Sequence, residues 1–203
     1  MTAEERIFSI VRGGLYAKLP SLALPLGRLT CREGDVDPAG TDGEAAVFAP
    51  GILRREFLAE SDLPERLTLH LLLHLMLGHP WGRQGRARAL WDTACDLAVG
   101  LVRHALLPQE PETPAAFSAR CKLQARRAVR APAIYALLLE QPDALTAEEQ
   151  AAFHLDDHRL WQLSASASAP KTADGDAETG WQALGRKLPD PLPPKPVIGS
   201  GSG

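Results

Sequence analysis

The part of the chain that most constrains its fold is a leucine-rich run at residues 67–80, LTLHLLLHLMLGHP. Because this run is apolar nearly throughout, it predicts a helix that is buried on all sides. Ser61 or Asp62 before it and Gly78 after it predict a helix from about residue 63 to 78. The run is too short to cross a bilayer, since a spanning helix needs about 20 apolar residues.

Two histidines interrupt the leucines of this helix. His70 and His74 lie four residues apart, so both side chains project from one face. Imidazoles at this spacing can hold one divalent ion, as in the HExxH zinc motif. The alternative is two core histidines that hydrogen bonds satisfy, but burying unpartnered imidazoles costs about 1–3 kcal/mol each, which favours a metal. His79 lies on the opposite side of the helix and is assigned to the dipole at its C-terminal end.

The next predicted helix, residues 86–106, supplies acidic candidates. Asp96 lies in an apolar stretch, where a carboxylate needs a strong partner, so it is the candidate third metal ligand. The alternative is a solvated charged face formed by Asp92, Asp96 and Arg103. For Asp92 that alternative is favoured, and Asp92 is kept only as a second-shell or alternative ligand.

A third cluster follows at residues 153–161, FHLDDHRLW. Asp156 and His158 could complete a metal shell or supply outer hydrogen bonds to its ligands. Asp157 and His158 are the candidate acid or base groups, although no catalytic residue is assigned. The alternative is a helix end with ordinary surface polar residues.

The remaining patterns predict a mostly helical α+β domain with a small β element before the HxxxH helix. Residues 44–50, EAAVFAP, are bounded by turn residues and predict a strand, whereas residues 31–43 predict a loop. The domain is expected to span residues 1–163. Residues 164–180 are low in complexity and predict a flexible linker, and residues 181–203 predict a short helix and a disordered tail.

Charge and cysteine usage exclude several functional classes. The net charge of −3 gives no general attraction to nucleic acid or to anionic membranes, so neither is an expected partner. Three cysteines without CxxC spacing, and no visible signal peptide, predict reduced thiols in the cytoplasm. Residues 120–130 are rich in Arg and Lys and could touch phosphates or an acidic partner, but a solvated basic helix face is the favoured interpretation.

The order of these motifs resembles the N-terminal metallopeptidase-type domain of bacterial VWA-like domain-containing proteins, which are zincin-like and often paired with MoxR-type AAA ATPases. The matching pieces are Thr41-Asp42-Gly43 with the strand after it, HxxxH followed by GHP, LWDTACDLAV at 90–99 and DDHRLW at 156–161. The resemblance implies a zincin-like fold, Zn²⁺ held by His70, His74 and Asp96, and a protein or peptide partner such as a MoxR-type AAA ATPase or a VWA-like domain protein. The VWA-like domain that usually follows is absent from this sequence.

One departure from that family concerns catalysis. Members with peptidase potential have glutamate directly after the first histidine, where this chain has Leu71. That glutamate takes a proton from the zinc-bound water and passes it to the leaving amine, and losing a general base costs about 10²–10⁴-fold in rate. The favoured hypothesis is therefore a zinc-binding, metallopeptidase-like interaction module without peptidase activity. The alternatives are an active metallohydrolase that uses Asp156, Asp157 or His158 as acid or base, and a metal-free helical interaction domain.

Overall fold

A computed structural model of the protein describes residues 2–107, 113–121, 130–161, 177–186 and 188. These ranges form a mostly helical α+β fold, which confirms the predicted class. The α-helices are α1 (Ala3–Lys18), α2 (Ala23–Arg28), α3 (Ile52–Leu58), α4 (Leu63–Leu77), α5 (Arg88–Leu106), α6 (Thr113–Arg120), α7 (Ala131–Glu140), α8 (Ala147–Phe153) and α9 (Ala177–Gly185). Among the described residues, no helix is long and apolar enough to cross a membrane.

A small sheet precedes α3 and α4. Its strands are β1 (Thr30–Glu33), β2 (Ala39–Thr41) and β3 (Ala45–Phe48), with β3 in the centre, parallel to β1 and antiparallel to β2. The strand predicted at 44–50 is confirmed as β3. The loop predicted at 31–43 is partly wrong, because β2 and most of β1 lie within it, and both strands pair with β3. The turn between β2 and β3 depends on the Asp42 carboxylate, which accepts hydrogen bonds from the backbone amides of Glu44 and Ala45.

Helix α4 runs through the middle of the molecule. Its residues from Leu67 to Met76 are all buried, because α1, α5, α9 and the sheet pack around it. This explains why the helix is apolar on every side. The helix ends at Gly78, which has a left-handed conformation with φ of 72° that favours glycine.

Two groups of buried apolar side chains lie on either side of α5. The first joins α1, the sheet, α4 and α9, and the second joins α5 to α6, α7, α8 and Trp161. Helix α5 contributes to both groups, with Val99 and Val102 in the first and Leu97 and Leu101 in the second. The polar residues of the site face one another across the α4–α5 contact.

The C-terminal part of the described chain packs on the main core. Helix α9 begins at Ala177, inside the stretch predicted as a linker, and contacts α4. Its Trp181 is 1% exposed and belongs to the first apolar group. Most of the predicted linker and tail, at 164–176 and 189–203, lies outside the described residues, as does most of the basic stretch, at 122–129.

Candidate metal centre

His70 and His74 converge from adjacent turns of α4. Both side chains are fully buried, and their ring centroids are 4.6 Å apart. The two Nε2 atoms lie 2.9 Å from each other. Because an α-helix repeats every 3.6 residues, a spacing of four brings the two rings to the same point.

Two carboxylates reach this point from other parts of the fold. Asp96 of α5 places Oδ1 3.5 Å from His70 Nε2 and 3.3 Å from His74 Nε2. Asp156, in the loop after α8, places Oδ1 2.9 Å from His70 Nε2 and 3.7 Å from His74 Nε2. The donor atoms of all four residues lie within 4.8 Å of one another.

The loop that carries Asp156 is fixed against the sheet. The backbone amide of Asp157 donates a hydrogen bond of 2.7 Å to the carbonyl of Ala39, and Asp157 forms a β-bridge with Gly40 of β2. A Cβ atom at Gly40 would run into the carbonyl oxygen of Asp157, so this close approach requires glycine. The edge of β2 thereby determines where the Asp156 carboxylate lies.

The geometry fits a four-coordinate divalent ion. In a tetrahedral zinc site with bonds of 2.0–2.2 Å, neighbouring ligand atoms lie about 3.3–3.6 Å apart. The five separations that involve a histidine are 2.9–3.7 Å, around that range, and all ligand atoms lie within 4.8 Å of one another. Asp96 Oδ1 is buried without a hydrogen-bond partner, although three ring nitrogens surround it, as expected of an atom placed to bind a cation. Two carboxylates and two neutral imidazoles would balance a charge of about +2.

The protonation states of His74 and of the two carboxylates suit ligand binding. Burial lowers the pKa of His74 to about 4, so this ring is neutral at physiological pH. Burial opposes ionisation of Asp156, but the charges of the histidines beside it outweigh burial and hold its pKa below the usual range. The pKa of Asp96 is likewise held well below the usual range, since His158 and the hydrogen bond from His154 outweigh burial. Both carboxylates are therefore ionised.

Two further histidines lie within hydrogen-bonding distance of the candidate ligands. His74 Nδ1 lies 3.0 Å from His79 Nδ1, and burial holds the pKa of His79 well below its usual value, so His79 is neutral. If His74 Nε2 bound an ion, the ring proton would lie on Nδ1, and Nδ1 would donate a hydrogen bond to Nδ1 of His79. The sequence assigned His79 to the dipole at the helix end, and the structure adds a contact with the ring of His74. On the other side, His154 Nδ1 lies 2.9 Å from Asp96 Oδ2.

His158 lies beside both carboxylates. Its Nε2 is 2.9 Å from Asp156 Oδ1 and 3.1 Å from Asp96 Oδ1, and its ring stacks on Trp161 with centroids 3.9 Å apart. Burial opposes its protonation, but the two carboxylates outweigh burial and raise its pKa well above the usual value. Protonated His158 thus donates a hydrogen bond to Asp156 and places a positive charge beside Asp96.

The other acidic candidates, Asp92 and Asp157, are not among the four converging residues. Asp92 ion-pairs with Arg88 at 3.5 Å, and its Oδ1 is 3.9 Å from His158 Nδ1. The Asp157 carboxylate is bound to Arg159, at 2.6 Å from its Nε and 2.9 Å from its backbone amide. Asp157 therefore contributes to the site through its backbone, which fixes the loop that carries Asp156.

Where HExxH enzymes have glutamate, this chain has an apolar residue in apolar surroundings. Leu71 is fully buried and belongs to the first apolar group, together with neighbouring leucines of α4. No carboxylate of α4 therefore accompanies the two histidines, and the acidic groups of the site come from α5 and the loop after α8.

Asp156 is the residue whose position the sequence described least well. The sequence suggested it only as an outer or alternative partner, whereas the structure places it among the four converging residues. The available signal was the DDH triplet, which does not reveal which of two adjacent carboxylates points inward.

Fold and site together define a helical domain with a buried His/Asp cluster, of the kind that could bind a metal, built on an HxxxH helix. The chain belongs to the family described as "Putative metallopeptidase domain", whose sequence model matches residues 13–185. No curated protein and no solved structure gives a significant match to the chain.

Proposed function

We propose that this domain binds Zn²⁺ through His70, His74, Asp96 and Asp156 and acts as a protein or peptide interaction module without peptidase activity. The observation that carries the proposal is the convergence of four buried donor atoms within 4.8 Å. Four donors made up of imidazole nitrogen and carboxylate oxygen suit zinc among the common divalent ions. Membership of a metallopeptidase-type family supports the same conclusion.

Three features argue against peptide hydrolysis. A catalytic zinc usually has three protein ligands and keeps a fourth position for water, whereas four protein side chains converge here. All four are at most 3% exposed, which leaves little room for a substrate at the ion. Leu71 also removes the group that would accept the proton of the attacking water. In the proposed role the ion joins α4, α5 and the loop after α8.

The partner is proposed from the resemblance and from the sheet. MoxR-type AAA ATPases and VWA-like domain proteins are the classes that the resemblance implies. Within the described sheet, β1 is an edge strand that pairs only with β3, and such an edge can accept an added strand. The outer edge of β2 is instead held by Asp157. Cys31, Cys95 and Cys121 are free thiols, which suits the cytoplasm as the proposed compartment.

Elemental analysis of the purified full chain tests the metal. We expect about one equivalent of zinc in the wild type and loss of most of it in His70→Ala, because one of four ligands is removed. His104→Ala is the matched control, since His104 lies on α5 outside the cluster, and it should retain the ion. Less than about 0.2 equivalents in the wild type, unchanged in His70→Ala, would instead support the metal-free helical domain.

A peptidase assay tests the absence of catalysis. The zinc-loaded wild type should not cleave a mixed peptide library above background, and Asp157→Ala should be indistinguishable from it. Leu71→Glu restores the HExxH sequence, and Leu71→Gln controls for placing a polar group in the core. Zinc-dependent cleavage by the wild type that Asp157→Ala abolishes would refute the proposal in favour of an active hydrolase.

A further inference from the structure

A cavity that is separate from the metal centre borders it at His79. This cavity plays no part in the function proposed above. It lies between the C-terminal end of α4, the loop before α5, the N-terminal end of α7 and the C-terminal end of α9. Its volume is about 520 Å³, within the range of about 300–1,000 Å³ typical of small-molecule sites. We call it the basic cavity, after the arginines 86, 130 and 186 that line it.

The charge of the basic cavity has one sign. Arg86, Arg130 and Arg186 each come from a different segment of the chain, and Gln84 and Gln182 add polar side chains. None of the described residues that line the cavity is acidic. Three guanidinium groups around one concave space create a positive potential that an anion would relieve.

The arginines differ in how firmly they are held. The Arg86 side chain donates a 2.7 Å hydrogen bond to the carbonyl of Gly82, and its guanidinium lies over the Trp91 ring at 4.8 Å from the centroid. In contrast, the exposed guanidinium groups of Arg130 and Arg186 have no ion pair or hydrogen bond within the described parts of the chain. One arginine is therefore preorganised, and the donors of the other two are not used by any residue that the structure describes.

The start of α7 adds to the same potential. Arg130 is its N-cap residue and provides no side-chain cap, and Ala131, the first helical residue, lines the cavity. The N-terminal end of a ten-residue helix carries a partial positive charge. This contribution is secondary to that of the arginines, but it has the same sign.

The walls also contain apolar surface, from Leu77, Val102 and Leu188. An inorganic anion alone would fill only a small part of the volume. We propose that the basic cavity binds a small organic anion whose phosphate or carboxylate groups pair with Arg86, Arg130 and Arg186. Guanidinium groups bind both kinds of oxyanion in a bidentate manner, so the structure assigns the shared chemistry, and the experiment separates the two sources.

Isothermal titration calorimetry of the full chain tests the assignment, with pyrophosphate as the phosphate probe and trimesate, a rigid aromatic tricarboxylate, as the carboxylate probe. Both are titrated into the metal-stripped His70→Ala protein, so that neither anion can bind through a metal ion. Saturable binding of either probe is expected. This result is independent of the zinc proposal, since it concerns a protein whose metal centre has been removed.

Three substitutions locate the binding. Arg130→Gln and Arg186→Gln, both on exposed side chains that the fold does not need, should each weaken binding by about 3- to 10-fold, as expected for a charged hydrogen bond near solvent. Arg54→Gln, an exposed arginine of α3 away from the cavity, should leave it unchanged. Failure of both anions to saturate below about 10 mM would overturn the assignment. Equal weakening by Arg54→Gln would do the same, because it would indicate general charge attraction.

Discussion

Zinc affinity should depend steeply on pH, because the ion has to displace protons. His70 can bind an ion only through an unprotonated Nε2. Burial lowers the pKa of His70, but Asp156 and Asp96 outweigh burial and raise it above the usual value. The same two carboxylates raise the pKa of His158 well above the usual value. In the metal-free protein both rings therefore keep their protons to a higher pH than an ordinary histidine does.

The direction and size of the effect follow from these protons. Binding must remove the proton of His70. His158 loses its stabilising partners at the same time, because the carboxylate oxygens 2.9 and 3.1 Å from its Nε2 would be bound to the ion. One displaced proton strengthens binding about 10-fold per pH unit and two strengthen it about 100-fold. We therefore expect affinity to rise by about 10- to 100-fold per pH unit from about pH 6, and to level off where His70 loses its proton without metal.

Competition with a chromophoric chelator at about pH 6, 7 and 8, at constant ionic strength and corrected for protonation of the chelator, measures this slope. His158→Gln is the informative variant, since it keeps a donor beside the carboxylates but cannot release a proton. Where two protons are displaced in the wild type, the variant should lower the slope by about one power of ten per pH unit. An affinity that is constant over this range would refute the reasoning, because it would mean that the ion displaces no proton from a histidine when it binds.

Three further changes probe the surroundings of the site and the core. His154→Ala removes the hydrogen bond to Asp96 Oδ2 and should weaken zinc binding by about 10-fold in the same competition assay, without lowering the stoichiometry. Gly100→Ala places a methyl group into the ring of Phe153 and should lower the free energy of unfolding by about 1–3 kcal/mol in urea titrations, where stabilisation would show that the ring can move aside. Trp181→Ala empties a fully buried site in α9 and should cost about 3–5 kcal/mol, whereas a cost below about 1 kcal/mol would show that α9 is not part of the cooperative core.

Elements with local signals were predicted well from the sequence. Thr146-Ala-Glu-Glu149 has the residue pattern of a capping box, and the structure contains both of its hydrogen bonds at the start of α8. Gly78 and the proline after it predicted the end of α4, where Gly78 adopts the left-handed conformation. These signals succeed because the interactions behind them lie within four residues of one another.

Elements that depend on distant partners were missed. Strand β1 pairs with β3 fifteen residues later, in a stretch whose glycine and aspartate content is typical of loops. Helix α9 was predicted to begin later, because residues 177–180 look like linker and become helical where Trp181 packs into the core. His79 was assigned to the helix end, since nothing in the sequence shows that a ring five residues after His74 turns back to meet it.

The sequence alone determined that two imidazoles share one face of a buried helix, because a spacing of four and an unbroken apolar run leave little other choice. It also determined that the glutamate of HExxH is absent. Only the tertiary structure decided which carboxylates join them. Asp156 lies 86 residues from His70 along the chain, and its position depends on the pairing of Asp157 with β2. Helix periodicity is a property of neighbouring residues, whereas the meeting of α4, α5 and the loop after α8 is a property of how the whole core packs.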